Sequence, residues 1–154
     1  MVNEKMGIKG VVTVSVKKID GSVLYLTKNK PNLLTTAGRD WIHSQVYETG
    51  TTDEAINIGV STDTAGPSAS DTVLVDEIED GGLGRTAATY SHTANGNVST
   101  LSVTFTASAT HTSVQKSAVF TASTDGTMVH ENTFPEVTLT TDDELNVVWT
   151  ITAG

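Results

Sequence analysis

The sequence contains no cysteine. Disulfide frameworks, thiolate metal sites and cysteine nucleophiles are therefore excluded. A chain of this kind outside a cell would depend on packing or oligomerisation for its robustness. Aromatic residues are few, at 5% of the chain, and the hydrophobic share is only 37%. No run approaches the ~18 apolar residues of a membrane-spanning helix. The opening "MVNEKMGIKG" has none of the apolar core of a secretory signal, so synthesis and folding in the cytosol are expected.

Basic residues are scarce beyond the first quarter of the chain. Residues 1–40 hold Lys5, Lys9, Lys17, Lys18, Lys28, Lys30 and Arg39 against Glu4, Asp20 and Asp40, a net of +4. The rest holds only Arg85 and Lys116 against 15 acidic residues, a net of −13, which leaves −9 overall. A body this acidic argues against nucleic acid as a partner. The basic segment suits either docking on an acidic protein surface or charge protection of an edge strand, and the two are compatible.

What the chain does have is threonine and serine, together about a quarter of its 154 residues. Threonine is β-branched and fits a pleated strand with one wet face, which favours an all-β domain over disorder. In "GVVTVSVKKI" Val12, Val14 and Val16 share one face, and "DG" at 20 and 21 is a hairpin signal expected to place both turn residues at positive φ. "SVLYLTK" returns as the second strand and Pro31 stops it. Residues 1–9 show little pattern and are expected to form an arm.

"NLLTTAGRDWIHSQVY" then predicts one short helix. Thr35 or Thr36 can cap it, Ala37, Trp41, Ile42 and Val46 form its apolar stripe, and Gly38 would let it approach a sheet closely. "AINIGVS" is a short strand, and "DTVLVDEIEDGGLG" is ambiguous. From residue 85 onward strand follows strand, with turns at "NGN" and "STDGT" and a fresh strand opened by Pro135. The closing "LNVVWTITAG" alternates Leu145, Val147, Trp149 and Ile151. Short strands punctuated by turns predict a mainly β fold, an antiparallel sandwich or jelly-roll-like barrel.

No motif supports an enzyme. Arg39, Asp40 and His43 lie within one helical turn of each other, but they fit the polar face of the amphipathic helix. There is no G-x-S-x-G elbow, and the four histidines (His43, His92, His111 and His130) lack metal-ligand spacing. The acidic loops match no EF-hand, and "GGLG" is neither a P-loop nor a dinucleotide fingerprint. No catalytic residue, metal site or cofactor is expected.

The order of several segments carries a resemblance. "NLLTTAGRDWI", then "INIGVSTDTAGPSASDTVLVDEI" with Arg85 soon after, then "KSAVFTASTDGTMVHENTF" and "DELNVVWTI" resemble a family of small β-rich virion proteins of tailed bacteriophages. That family includes capsid decoration (auxiliary) proteins and tail or tail-fibre components. The resemblance spans residues 32–152. It matches Asn32, Leu33, Thr35 and Gly38 at the helix entry, Ile58 and Gly59 at a strand, and Pro67, Asp71, Leu74 and Glu77 in the loop after it. It also matches Phe120, Gly126 and Phe134 in a hairpin, and Leu145, Val147, Trp149 and Ile151 in the last strand. The family tends to have Gly-Leu-Phe where this chain has Ala118-Val119-Phe120.

The resemblance implies a non-enzymatic virion protein on the outer capsid surface. Its expected partners are the major capsid protein and further copies of itself in a homotrimer, with no nucleic acid and no membrane. A tail, neck or fibre component is the alternative, and a carbohydrate- or ion-binding sandwich is a third possibility. Residues 1–31, an arm and basic hairpin, are expected to anchor the β-sandwich body formed by 32–154, the whole forming one compact domain. Lys5, Lys9, Lys17, Lys18, Lys28 and Lys30 are the expected partner contacts, and Thr35, Gly38, Trp41, Gly59, Phe120, Gly126 and Trp149 the structural positions. Removing residues 1–18 is expected to abolish shell binding and leave the body folded.

Overall fold

A computed structural model describes residues 7–47 and 53–153, the side chains of 43, 44, 46 and 47 excepted. In chain order the elements are β1 (Ile8–Lys17), β2 (Val23–Pro31), β3 (Leu33–Leu34), α1 (Thr36–Tyr47), β4 (Asn57–Ser61) and β5 (Thr86–Ala87). They continue with β6 (Thr89–His92), β7 (Val98–Thr106), β8 (His111–Phe120), β9 (Met128–Leu139) and β10 (Glu144–Ala153). Two antiparallel five-stranded sheets, ordered β2-β1-β10-β7-β6 and β3-β9-β8-β4-β5, pack as a sandwich.

Alternation builds the core. Val12, Val14 and Val16 of β1, Leu101, Val103 and Phe105 of β7, and Leu145, Val147 and Trp149 of β10 all point inward. They meet Ile58, Val60, Val114, Val119 and Phe134 from the opposite sheet. Each fully buried side chain of this size contributes about 1.5–3 kcal/mol relative to exposure.

The basic hairpin is a component of this sandwich. β1 lies between β2 and β10 and pairs with β10 from Ile8↔Ala153 to Lys17↔Glu144. Deleting residues 1–18 would therefore remove an interior strand and three fully buried valines, and would not leave a folded body. Residue 31 is not a seam, because Asn32 N–H donates to Gly10 O at 2.9 Å and ties the end of β2 back to β1.

Two local expectations are corrected. Only Gly21 of the Asp20-Gly21 pair has positive φ, at 86°. The turn is a three-residue loop closed by Gly21 N–H to Lys18 O and Lys18 N–H to Ser22 O, both 2.8 Å. Pro135 does not open a new strand either. β9 runs through it, and the register slips between Val114↔Val137 and Lys116↔Thr133, so the proline sits where ladder bonds are interrupted.

The helix is fastened to β9. Thr35 Oγ1 accepts from Gly38 N–H at 2.9 Å, capping the first turn, and donates to Met128 O. A Cβ on Gly38 would lie 2.5 Å from Val129 O and 2.7 Å from Val129 Cα. Only glycine allows this approach.

Candidate docking surface and buried charge clusters

The three-residue turn puts Ile19 at the tip of the β1–β2 hairpin, facing solvent. Ile19, Val23, Leu24 and Tyr25 are each more than half exposed. Register places Val23 and Tyr25 opposite Lys17 and Ser15 on the outer face, and Leu24 opposite Val16 on the inner face. Among the described residues β2 pairs with β1 alone, and on its other side Asn132 Nδ2 donates to Lys30 O and Pro31 O at the far end of the strand. Apolar side chains are thus exposed on both faces of this edge strand.

Asp143, in the turn before β10, holds this tip in place. Its carboxylate is 1% exposed and accepts from Lys18 Nζ at 2.7 Å, Thr140 N–H at 2.8 Å and Ile19 N–H at 3.3 Å. Burial raises its pKa, but the hydrogen bonds from Lys18 and Thr140 outweigh burial and hold it down to about 2.

The lysines expected as partner contacts divide by position. Lys5 lies outside the described residues. Lys18 is committed to Asp143 and to Thr138 O, and Lys30 donates to Thr133 O and Oγ1 across the sandwich. Lys17 pairs with Glu144 at 3.2 Å in solvent, and Lys28 lies 4.0 Å over the ring of Tyr25. Lys9 is exposed on β1. Lys17 and Lys28 therefore remain accessible beside the apolar cluster, Lys9 is accessible at the opposite end of β1, and Lys18 and Lys30 are engaged within the chain.

Sequence reasoning missed two charge clusters on the outer face of the second sheet, beneath the loop that follows β4. In the first, Arg85 clasps Glu77 with Nε to Oε1 at 2.8 Å and Nη2 to Oε2 at 2.6 Å. The guanidinium also donates to Ala122 O and Asp125 O and lies 3.5 Å over the Phe120 ring. Gly59 makes room for this pair, because a Cβ there would lie 2.6 Å from Glu77 Oε1. Gly126, at φ 72°, shapes the turn that supplies the Asp125 carbonyl. Leu74 completes the cap by packing in an apolar cluster with Ala118, Phe120 and Met128. Gly59, Leu74, Glu77, Phe120 and Gly126, matched from separate segments, thus meet in one place.

The second cluster is Lys116 on β8, with Asp63 at 2.8 Å and Glu131 at 3.2 Å. Side-chain exposure is 2% for the lysine, 12% for the aspartate and none for the glutamate. Burial opposes the charge on Lys116, but hydrogen bonds to Asp63 and Glu131 prevail and raise its pKa. The Lys116 hydrogen bond lowers the pKa of Asp63. Glu131 is pushed up, first by burial and then by its hydrogen bond with Asp71. In sequence these groups look like ordinary surface charges. Only the covering loop, with Ser68 N–H donating to Glu131 Oε1 at 2.8 Å, makes them interior.

At the α1 end of the sandwich an apolar groove of 430 Å³ is lined by Trp41, Ile42, Ile56, Tyr90, Leu101 and Ile151, with His130 at its base. Asn32 Nδ2 contacts His130 Nδ1 at 2.7 Å, and the imidazole stacks on Trp149 at 6.0 Å between centroids. Burial lowers the His130 pKa to about 4. Arg39 and Asp40 are exposed on α1, and the His43 and Val46 side chains lie outside the described residues. Tyr25 and Tyr90, the exposed tyrosines, sit on opposite edge strands of one sheet and form no common platform. Among the described residues no group of three or more histidines and carboxylates could hold a metal, and no helix is long and apolar enough to cross a membrane. Compared with protein-family models, with curated proteins and with solved structures, the chain matches none of them.

Proposed function

We propose that this chain is a non-enzymatic structural protein of a tailed-phage virion. It decorates the outer surface of the assembled capsid, binding the major capsid protein and stabilising the shell. The observation that supports this most is the hairpin edge: Ile19 at the tip and Val23, Leu24 and Tyr25 on the edge strand are exposed beside Lys17 and Lys28, in a chain that is otherwise strongly acidic. Such a surface gains apolar burial and charge complementarity when it meets an acidic protein lattice. A protein that binds only the assembled lattice stabilises it by mass action, with no chemistry required.

With β2 given to the shell, the first sheet keeps a second open edge at β6, where Tyr90 is exposed. We assign that edge to contacts between copies, in a homotrimer around a three-fold lattice position. The test is co-sedimentation with assembled shells of the phage that encodes the chain, comparing wild type with Leu24→Asp/Tyr25→Asp. Wild type is expected to pellet with shells and the double variant to stay in the supernatant. Equal binding by both removes the hairpin from the interface. Recovery of the native protein in separated tails, and not in heads, replaces decoration by the tail-component alternative.

A further inference from the structure

Lys116, Asp63 and Glu131 form a buried cluster that the proposed function does not use. A buried ammonium–carboxylate pair is costly to keep desolvated, and a third, fully buried carboxyl beside it adds to that cost. Within this cluster Lys116 Nζ lies 2.8 Å from Asp63 Oδ2 and 3.2 Å from Glu131 Oε2. Asp63 Oδ1 accepts from Ala65 N–H at 3.0 Å, and Asp63 N–H is held by Ser61 Oγ at 2.8 Å. Glu131 Oε1 is fixed by Ser68 N–H at 2.8 Å, and its Oε2 faces the Lys116 amine at 3.2 Å. Nucleophile, acyl group, proton carrier and a backbone donor on the carbonyl oxygen are all held by rigid strands or short turns. This is the arrangement that turns a slow bimolecular condensation into an intramolecular one.

We propose that Lys116 and Asp63 condense to an intramolecular isopeptide bond, with Glu131 as the catalytic proton carrier. The lysine ammonium gives one proton, through Glu131, to Asp63 Oδ2, leaving a neutral amine and a neutral acid. The amine nitrogen attacks Asp63 Cγ, and the oxygen that becomes negative is Oδ1, already facing the Ala65 N–H. Glu131 then carries a second proton from the nitrogen to Oδ2, the C–Oδ2 bond breaks, and one water departs. The product is a neutral amide, with Glu131 returned to its starting state. No oxidant, metal or co-substrate is consumed. The partial exposure of Asp63 gives the water a way out, and the amide relieves the desolvation cost of two buried charges, a cost that hydrolysis would have to restore. The bond would join β8 to the loop after β4, clamping that loop covalently in a chain that has no cysteine for a disulfide.

Intact-mass spectrometry of the purified, folded full-length chain tests this directly. Wild type is expected to be lighter than its sequence by one water, and digestion should yield a branched peptide joining the Asp63 and Lys116 segments. Glu131→Gln and Asp63→Ala, each checked for fold by circular dichroism, are expected to show the full sequence mass. A folded wild type of full mass overturns the proposal. So does a water loss that maps to succinimide at Asp20-Gly21, Asp80-Gly81 or Asp125-Gly126. A branched peptide still formed in Glu131→Gln would keep the bond and overturn the role of Glu131. Should Glu131→Gln fail to fold, Asp63→Ala and the wild-type mass still decide whether the bond exists.

Discussion

Lys18 on β1's trailing turn and Asp143 before β10 meet at 2.7 Å, 125 residues apart in sequence, with the carboxylate 1% exposed. The contact fixes the hairpin tip against the β9–β10 turn. Asp143 is held at about 2, below its ordinary 3.8. Its contribution to stability is therefore complete above the unfolded-state value and is lost as pH falls from about 4 towards 2. Asp143→Asn is expected to cost about 1–3 kcal/mol at neutral pH, from weakened charge-assisted bonds to Lys18 and Thr140. Denaturant unfolding of wild type and variant at pH 7 and near pH 2 checks this: the gap between them should close at the acid end.

His130 titrates with the opposite charge and in a different window. Its folded pKa, about 4, lies below the ordinary 6.5 because burial disfavours the imidazolium. Between those values the unfolded chain binds more protons than the folded one, so stability falls as pH drops from 6.5 towards 4 and then levels off. A full shift of this size corresponds to about 3 kcal/mol. His130→Gln, which keeps a polar group facing Asn32, is expected to flatten this limb of the stability–pH curve. Melting temperatures at half-unit pH steps would show it.

Alternation and helix capping were legible, while the geometry of the Asp20-Gly21 turn and the course of β9 through Pro135 were not. Alternation at 12–16, 101–105 and 145–151 marks strands whose inward residues are those of the core, and the Thr35 cap and the stripe through Trp41 and Ile42 mark α1. Pairing was not legible. Alternation says that Val12, Val14 and Val16 share a face, but nothing local says that β1 lies beside β10, so the hairpin looked detachable. The charge clusters were hidden for a related reason. Lys116, Asp63 and Glu131 lie 53 and 15 positions apart, and become interior only when the loop after β4 folds over the sheet. Resemblance pointed to Gly59 and Glu77 separately, and their contact needed coordinates.

Gly38→Ala sets helix propensity against packing. In an exposed helix alanine is the better residue by about 1 kcal/mol. Here its methyl would fall 2.5 Å from the Val129 carbonyl oxygen, and that backbone belongs to β9 and cannot move aside cheaply. Overpacking of this kind costs about 1–3 kcal/mol and should outweigh the propensity gain. Thermal melts are expected to show a lower transition for Gly38→Ala, and an unchanged or raised one would place α1 further from β9 than described.

Besides the Asp63 and Ser68 contacts near its start, the loop after β4 is fastened by the Arg85–Glu77 clasp and the burial of Leu74, and a double-mutant cycle measures what the clasp contributes. Arg85→Met alone leaves the Glu77 carboxylate part-buried without its bidentate partner, which is expected to cost about 3 kcal/mol. Glu77→Gln alone strands the guanidinium, though Ala122 O, Asp125 O and the Phe120 ring still hold it, so a smaller loss is expected. Because the two groups touch, the double variant should lose less than the sum, with a coupling energy of about 1–3 kcal/mol. Arg85→Lys keeps the charge but loses the planar fork and the stacking on Phe120, so it should rescue only part of the loss. Unfolding free energies for the four proteins of the cycle measure the coupling. A value near zero would mean that the loop is held by Leu74, packed on Ala118, Phe120 and Met128, and by the Asp63 and Ser68 contacts, without the clasp.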